Sequence, residues 1–307
     1  MRAVQISSWG GPEVFEVVER PEPEPREGEV LVRVAAAALN PVEWFTAAGY
    51  LQELAPAVVP PYVPGWDFAG TVVRGEGYAE GERVVGMVRQ FDGLDGSLAE
   101  LVAVPGELLG RLGDADLVAA GGLALNAVTA RQALELGGLA AGQTVVVTGA
   151  SGAVGGAAVQ LAAAAGATVV AVASTGDEEH VRSLGAATVL GRTSAEELGE
   201  RVRGLVPGGA DLVLDAVPLG PAAVGAVCDG GRFVTVLDSG VPAPERGILG
   251  VKVDVRPRPG ELQELATAYA EGRLRVRVAA AYPLEEVAAA VEKASAGGLR
   301  GKVVVLL

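Results

Sequence analysis

One segment, from Thr144 to Gly155, constrains the fold of this chain more than any other. It reads TVVVTGASGAVG, so a run of β-branched residues gives way to small residues and then to an alanine-rich stretch. A run that is apolar on both faces is typical of a buried parallel strand, and such a strand needs a crossover helix to reach the next one. The segment therefore predicts a strand, a tight turn and a helix.

The turn fits the dinucleotide-binding fingerprint G-x-G-x-x-G, with alanine at the first position of ASGAVG (150–155). Gly152 would let the backbone approach a pyrophosphate, and Gly155 would permit close packing of helix on strand. The N–H groups of the helix that begins near Ala153 would point at the phosphates. An ordinary tight turn is the alternative, since 44 residues are glycine. A second β-branched run, Thr168–Ala173, favours the dinucleotide site.

The residues after that second run bear on the choice of dinucleotide. An acidic residue there would bind the adenosine ribose and select NAD. The chain has Ser174 and Thr175 instead, and its first acid is Asp177. NADPH is therefore favoured over NADH, with Arg192 as the preferred counter-charge for a 2′-phosphate and Arg182 as the other candidate. A solvated surface charge is the alternative for either arginine.

Two patterns divide the chain. Short β-rich segments separated by turn residues fill the first third and predict a barrel or sandwich. From about Leu117, helical stretches alternate with β-branched runs, which predicts a doubly wound parallel sheet. After about Val253 the first pattern returns, so residues 1–117 and 254–307 are expected to form one domain around a nucleotide domain at 118–253. The predicted strands outside the nucleotide domain are Arg2–Ile6, Val14–Val18, Glu29–Ala37, Phe68–Val73, Arg83–Val88, Leu98–Val104, Leu274–Ala280 and Lys302–Leu306.

Composition excludes several kinds of partner. The net charge is −14, from 24 basic and 38 acidic residues, and there is no basic run to neutralise nucleic acid or an anionic membrane surface. One cysteine cannot form an internal disulfide, and the apolar segments are too short to span a bilayer. A cytoplasmic protein is expected. Only Cys228 and His180 could act as soft metal ligands, and a four-coordinate zinc site needs several, so no zinc is expected.

A series of short motifs runs nearly from end to end. They are GPEV (11–14), NPVE (40–43), GY (49–50), PGWDFAG (64–70), GERV (81–84), NAVTA (126–130), LGA (184–186), GGRF (230–233) and RGKV (300–303). Each is common alone, but in this order they are specific. The chain resembles the zinc-independent medium-chain dehydrogenase/reductases, in the quinone oxidoreductase (zeta-crystallin-like) branch. Zinc-dependent relatives carry a cysteine near position 40, where this chain has Asn40.

The resemblance implies a GroES-like β-barrel domain, a Rossmann domain between its two parts, an active site in the cleft between them, and a homodimer. Edge strands of the Rossmann sheet would form the dimer, with residues 231–237 and 251–255 as candidates. The implied cofactor contacts are Asn40, Leu237 and Asp238 at the nicotinamide, Thr129 at its carboxamide, Ala153 and Val154 at the pyrophosphate, and Ser174, Thr175 and Arg192 at the 2′-phosphate. Gly149, Ser151, Gly152, Val217 and Lys302 are further implied cofactor-binding residues. The chain departs from the family at Asp177, often lysine, at Arg192, often tyrosine, and at Ala47, often basic.

Hydride transfer needs little from the protein beyond positioning and a donor for the substrate oxygen. Two catalytic residues are proposed from the sequence. Tyr50 is the candidate proton donor, and Asn40 is the second. The alternative for Tyr50 is packing against substrate. Trp44, Phe45, Tyr50 and Tyr62 are candidates for a substrate pocket, and packing in the barrel core is the alternative.

These residues favour an NADPH-dependent reductase of quinones or α,β-unsaturated carbonyls. A zinc-free alcohol or aldehyde reductase is the second hypothesis, although a simple carbonyl needs stronger polarisation. A cofactor-binding protein without turnover is the third.

Overall fold

A computed structural model describes residues 1–92 and 95–307 and divides them into two compact units. Unit 1 comprises Met1–Leu125 and Arg256–Leu307, and unit 2 comprises Asn126–Val255. Elements are numbered along the chain. The first boundary follows residue 125, where the sequence analysis expects one after 117, because helix α2 (Leu117–Ala120) packs on strands of unit 1.

Unit 1 is built from antiparallel strands with one parallel pair at the edge. Its strands are β1 (Arg2–Ile6), β2 (Phe15–Glu19), β3 (Glu29–Leu39), β4 (Asp67–Arg74), β5 (Arg83–Met87), β6 (Leu101–Pro105), β7 (Leu109–Arg111), β14 (Val278–Pro283) and β15 (Lys302–Leu306). The main sheet has the order β14-β15-β3-β4-β5-β7, with β6 also paired to β3, while β1 and β2 form a separate ribbon. The long strand β3 therefore organises the unit, and the C-terminal strand β15 pairs beside it.

The strand before β15 differs from the prediction. Alternation in residues 273–278 predicts a strand at Leu274–Ala280, but β14 runs from Val278 to Pro283. Its neighbour β15 begins at Lys302, which is the partner of Val278. Residues before Val278 consequently have no strand of this sheet to pair with.

The helices of unit 1 cover the barrel. They are α1 (Pro41–Ala47), α2, α7 (Glu261–Ala270) and α8 (Val287–Ser295), the last preceded by a 3-10 turn at Leu284–Glu286. Helix α8 buries Val287, Ala290, Val291 and Ala294, the i, i+3, i+4, i+7 face, against the barrel core. Helix α1 begins with proline, which suits the first helical position because its missing N–H would have no partner there.

Unit 2 has the predicted doubly wound parallel sheet. Its strands are β8 (Thr144–Val147), β9 (Thr168–Ala173), β10 (Thr188–Gly191), β11 (Ala210–Asp215), β12 (Val227–Thr235) and β13 (Leu249–Lys252). They lie in the order β10-β9-β8-β11-β12-β13, all parallel. Numbered within the sheet this is 3-2-1-4-5-6, the order of a Rossmann fold, so the predicted fold class is confirmed. Strands β10 and β13 form the two edges. Of the two dimer candidates, residues 251–255 begin on the edge strand β13, whereas residues 231–237 start within the interior strand β12.

Helices connect these strands as crossovers. They are α4 (Ala153–Ala164), α5 (Glu178–Ser183) and α6 (Ala195–Leu205), and a further helix, α3 (Ala124–Leu136), precedes the first strand, β8. Between β11 and β12 the connection is a 3-10 helix, Pro221–Ala226. Within the described ranges, no helix has the length and apolar character needed to cross a membrane.

Candidate functional site

The loop between β8 and α4 in unit 2 is a tight turn that tolerates little side-chain volume. Gly149 has a φ of +60°, and a Cβ added there would lie 2.5 Å from Cγ1 of Val217. The N–H of Ala150 donates to the carbonyl of Val172 (3.0 Å), and that of Gly152 donates to the carbonyl of Gly149 (2.9 Å). The turn is thereby held against strand β9.

Helix α4 approaches this turn closely at Gly155. A Cβ on Gly155 would lie 2.2 Å from the carbonyl oxygen of Gly149 and 2.7 Å from its carbonyl carbon, so only glycine fits. The helix starts after Gly152, and no side chain caps its first N–H groups. Free N–H groups at a helix start are the donors that bind phosphate in nucleotide sites.

A cavity of about 260 Å³ lies beside the turn, at the carboxyl ends of four strands. In doubly wound sheets, ligands bind outside these ends where the strand order reverses, which here is between β8 and β11. The residues that line it are Thr148, Gly149, Ser151, Val172, Ala173, Ser174, Arg192, Thr193, Val217 and Leu219. The cavity thus has the position expected of a nucleotide site and is lined by several of the residues that the sequence singles out.

Two lining or supporting residues escape the sequence analysis. The hydroxyl of Thr148 donates to Asp215 (2.6 Å), and both side chains are buried. The other carboxylate oxygen of Asp215 accepts from the N–H of Leu219 (2.9 Å), and the N–H of Val217 donates to Thr148 (3.3 Å). Burial raises the pKa of Asp215, while the Thr148 hydrogen bond opposes the rise. The pair fixes the turn after β11. Its signal in the sequence is a polar residue where each apolar run ends, Thr148 directly after β8 and Asp215 as the last residue of β11.

Of the charged residues near the predicted 2′-phosphate position, one lines the cavity and two do not. Arg192 is exposed and lines the cavity with the half-buried Ser174. Arg182 lies exposed on α5 and does not line it. Asp177, the departure from the family pattern, is 2% exposed at the start of α5 and does not line it either. The charged side chain at this cavity is therefore a cation.

The remaining predicted contacts of unit 2 are dispersed. Thr129 is buried on α3. Leu237 and Asp238 follow β12 at the carboxyl edge of the sheet, where Leu237 is exposed and Asp238 pairs with Lys252 at 2.7 Å. Their contacts with a cofactor stay predictions.

Unit 1 contains a buried polar cluster at the junction of β3 and α1, which we call the Asn40 cluster: Asn40, Glu43, Asp67 and Lys302. None of the four is more than 7% exposed. The Lys302 ammonium donates to the carbonyl of Leu39 and to Oδ1 of Asn40, both at 2.6 Å. Nδ2 of Asn40 donates to Asp67 (2.9 Å) and to Glu43 (3.3 Å), whose carboxylate also accepts from the Asn40 backbone N–H (2.7 Å).

These contacts bear on two sequence expectations. Asn40 and Lys302 are expected at the cofactor, but every partner described above for their side chains lies within unit 1. Glu43 and Asp67, which the sequence analysis does not select, complete the cluster. The cofactor contacts of Asn40 and Lys302 stay predictions.

Burial dominates the ionisation of the Asn40 cluster. Burial and, second to it, the Asp67 carboxylate raise the pKa of Glu43 to about 8, against the opposing effects of Lys302 and of the Asn40 hydrogen bonds. Burial also raises the pKa of Asp67 and lowers that of Lys302, with each partner's charge opposing the shift of the other. At neutral pH Glu43 therefore holds a proton.

The proton on Glu43 has a measurable consequence. An unfolded glutamate ionises near pH 4.5, so between about pH 5 and pH 8 the native state binds a proton that the unfolded state has lost. The free energy of unfolding should then fall as pH rises, by up to about 1.4 kcal/mol per pH unit from this group, until it levels above pH 8. In Glu43→Gln, which cannot ionise, urea denaturation at several pH values should give a flatter profile. The exposed Glu53→Gln should keep the wild-type slope, and equal slopes in all three proteins would contradict the assignment.

The aromatic residues predicted to line a substrate pocket fall into two groups. Phe45 is 38% and Tyr50 77% exposed, and their ring centroids lie 6.3 Å apart. Trp44 is partly buried against the barrel core, with its ring 6.1 Å from that of Phe45. Tyr62 differs from the expectation, because its ring is buried in the barrel core and burial raises the pKa of its hydroxyl.

The structure describes no group of three or more His, Cys, Asp or Glu side chains that could hold a metal ion within residues 1–92 and 95–307.

Comparison with known proteins identifies both parts of the chain. Residues 26–114 match the alcohol dehydrogenase GroES-like domain, and residues 184–305 match a zinc-binding dehydrogenase domain. The chain is 32% identical to an NADPH-dependent alkenal/one oxidoreductase of Arabidopsis thaliana, over 99% of this chain and 79% of that protein. It is 30% identical to the quinone oxidoreductase of Lama guanicoe, over 100% of this chain and 98% of that protein.

A solved structure agrees with these relatives. The quinone oxidoreductase from Coxiella burnetii superposes with a TM-score of 0.87 at 26% identity, covering 100% of this chain and 99% of that one. The matches to two other plant relatives span only 60% and 63% of the lengths of those proteins.

Proposed function

We propose that this chain, which belongs to the quinone oxidoreductase branch of the medium-chain dehydrogenase/reductase family, is an NADPH-dependent reductase of quinones or α,β-unsaturated carbonyls. The observation that carries the proposal is the glycine-lined turn of unit 2 beside a cavity whose charged lining residue is Arg192. The names of the relatives from Arabidopsis thaliana and Lama guanicoe supply the two substrate classes.

The residues at the turn fit a dinucleotide phosphate. The backbone is bare at Gly152 and Gly155, and the uncapped start of α4 offers N–H donors to the pyrophosphate. Ser174 and Arg192 line the same cavity and bind the 2′-phosphate, because arginine matches the geometry of phosphate oxygens. Asp177 is buried and does not line the cavity. Its carboxylate therefore does not repel the phosphate.

Bound NADPH supplies a hydride, which a quinone or enone accepts at carbon while negative charge develops on its oxygen. The chain contributes orientation and a proton. Phe45 and Tyr50 present apolar ring surface to a flat acceptor, and the Tyr50 hydroxyl donates a hydrogen bond and then a proton to the developing oxyanion. The Tyr50 side chain is largely exposed, so changes to it should leave the fold intact.

Removing the Tyr50 hydroxyl is expected to lower turnover at saturating acceptor by at least about tenfold, because general acid catalysis contributes about 10²- to 10⁴-fold. The dissociation constant of NADPH should stay within about twofold in Tyr50→Phe, as measured by fluorescence titration. Tyr282→Phe, also in unit 1, is the matched control and should leave both values unchanged. Unchanged turnover in Tyr50→Phe would leave Tyr50 as a packing residue only.

The activity itself is tested by following NADPH absorbance with a quinone, an enone and a simple aldehyde in parallel. Consumption with the quinone or the enone supports the proposal. Consumption with the aldehyde alone would identify an aldehyde reductase instead. Binding of NADPH without consumption in any arm would identify a cofactor-binding protein without turnover.

We further propose that the protein is a cytoplasmic homodimer. The support is the edge strand β13, which exposes Leu249 (47%) beside an unpaired strand edge. Light scattering of the wild type and of Leu249→Lys tests the dimer, since a charge placed on a two-fold contact appears in both copies and should yield monomers. Cell fractionation tests the location.

A further inference from the structure

The Asn40 amide is held in one orientation by the chemistry of its neighbours. An ammonium can only donate hydrogen bonds, and the Lys302 ammonium meets Oδ1 of Asn40. Both oxygens of Asp67 accept from N–H donors, Nδ2 of Asn40 at 2.9 Å and the backbone of Leu125 at 3.3 Å. Turning the amide by 180° would set NH₂ against the ammonium and a carbonyl oxygen against the carboxylate. The cluster therefore fixes the residue at which β3 ends and α1 begins.

Sheet register and two glycines position Lys302 and leave room for its side chain. Sheet register sets Val303 opposite Leu39, which brings the preceding residue, Lys302, to the end of β3. Gly301 reaches this position with a φ of +118°, and a Cβ there would lie 2.3 Å from the carbonyl oxygen of Arg277. Gly122 leaves room for the aliphatic part of Lys302, whose Cγ would lie 2.9 Å from a Cβ at that glycine.

The opposite end of α1 carries the exposed aromatic pair. Helix α1 has only seven residues, and Phe45 lies on its last turn. The N–H of Tyr50 donates to the carbonyl of Phe45 at 3.0 Å, so the Tyr50 backbone follows the end of this helix. A short helix that is anchored at its start by buried hydrogen bonds moves as one body. The position of Phe45 and Tyr50 thus depends on the anchor at Asn40.

We propose that Lys302 is a positioning residue, which clamps the junction of β3 and α1 and thereby sets the place of Phe45 and Tyr50 at the acceptor site. The inference rests on the proposed function for the meaning of that site. It differs from a role of Lys302 as a cofactor ligand, because the ammonium is buried and its two described hydrogen bonds are to residues of unit 1.

Lys302→Met removes the ammonium at similar side-chain length, and Lys302→Arg keeps a cation. We expect the KM for quinone to rise about tenfold or more in Lys302→Met, because small displacements of binding groups are costly, while the Kd of NADPH changes less than about twofold. Lys302→Arg should recover part of the loss. The exposed Lys293→Met on α8 is the control and should match the wild type.

A second readout does not need activity. Incorporation of 5-fluorotryptophan gives ¹⁹F resonances for the three tryptophans, and Trp44→Phe identifies that of Trp44 on α1. This resonance should shift in Lys302→Met and stay in place in Lys293→Met. If Lys302→Met does not fold, Lys302→Met/Asp67→Asn, which removes both charges, should show the same shift.

A rise of about tenfold in the Kd of NADPH with an unchanged Trp44 resonance would overturn the inference and make Lys302 a cofactor ligand. An unchanged KM and an unchanged resonance would overturn it too. If the wild type reduces none of the acceptors, the proposed function fails, while the Trp44 resonance still decides whether Lys302 clamps α1.

Discussion

Gly155→Ala is expected to abolish measurable NADPH binding and to lower the free energy of unfolding by about 3 kcal/mol, the upper range for overpacking a tight site. The new methyl would meet the carbonyl of Gly149 at 2.2 Å. That obstacle is backbone, so it cannot rotate away as the end of a side chain can. Either the turn at Gly149 or helix α4 must move, and both contribute to the phosphate site. Urea denaturation and fluorescence titration with NADPH measure the two effects.

The next residue provides the matched control. A Cβ on Gly156 would lie 3.4 Å from the carbonyl oxygen of Ala150 and 3.5 Å from Leu184, which is ordinary contact. Because alanine is favoured over glycine within a helix by about 1 kcal/mol, Gly156→Ala should be neutral or slightly stabilising and should bind NADPH normally. Normal binding and stability in Gly155→Ala would show that the turn is not the phosphate cradle we propose.

Arg192→Ala is expected to weaken NADPH binding by about 10- to 100-fold. A hydrogen bond to a charged group contributes about 1.5–3 kcal/mol, and about 1.4 kcal/mol corresponds to tenfold in affinity. NADH lacks the 2′-phosphate, so its affinity should not change. The ratio of the two dissociation constants, measured for the wild type and the variant, isolates the contribution of the phosphate.

Arg182→Ala is the control for the loss of one surface cation. Arg182 lies on α5 but does not line the cavity, so the preference for NADPH should persist in this variant. An equal loss of NADPH and NADH affinity in Arg192→Ala would show that Arg192 supports the structure of the turn and does not bind the 2′-phosphate. A loss of NADPH affinity in Arg182→Ala but not in Arg192→Ala would show that Arg182 binds the 2′-phosphate instead.

The parallel sheet could be predicted from sequence because its central strands β8, β9 and β11 are largely buried and appear as continuous apolar runs. Strand β9 is found with the predicted bounds, Thr168–Ala173. The three-residue strand β7 and the helix α1 escape prediction, since neither is long enough to establish a period. Strand β14 shows the opposite error. The alternation predicts a strand that begins at Leu274, but the partner strand β15 offers no residue to pair with before Val278.

Some residues of the candidate site can likewise be identified from the sequence, and others cannot. Gly152 and Gly155 can be identified from the sequence, because the restriction on side-chain volume acts between neighbours along the chain. The Asn40 cluster cannot be assembled that way, since Lys302 and Asn40 are 262 residues apart and meet only through the register of β15 on β3. Resemblance to a family selects both of these residues singly, but it does not select Glu43 or Asp67, and it does not predict that the four are buried together.

The pairing of β15 with β3 also matters while the protein is being made. Residues 126–255 emerge from the ribosome as one uninterrupted stretch, so unit 2 can assemble as soon as that stretch is free. Unit 1 must wait for Lys302–Leu306, and until then the end of β3 near Leu39 has no partner on that side. Unit 1 begins before unit 2 along the chain but is completed after it, and the end of β3 is an open strand edge until β15 has been made.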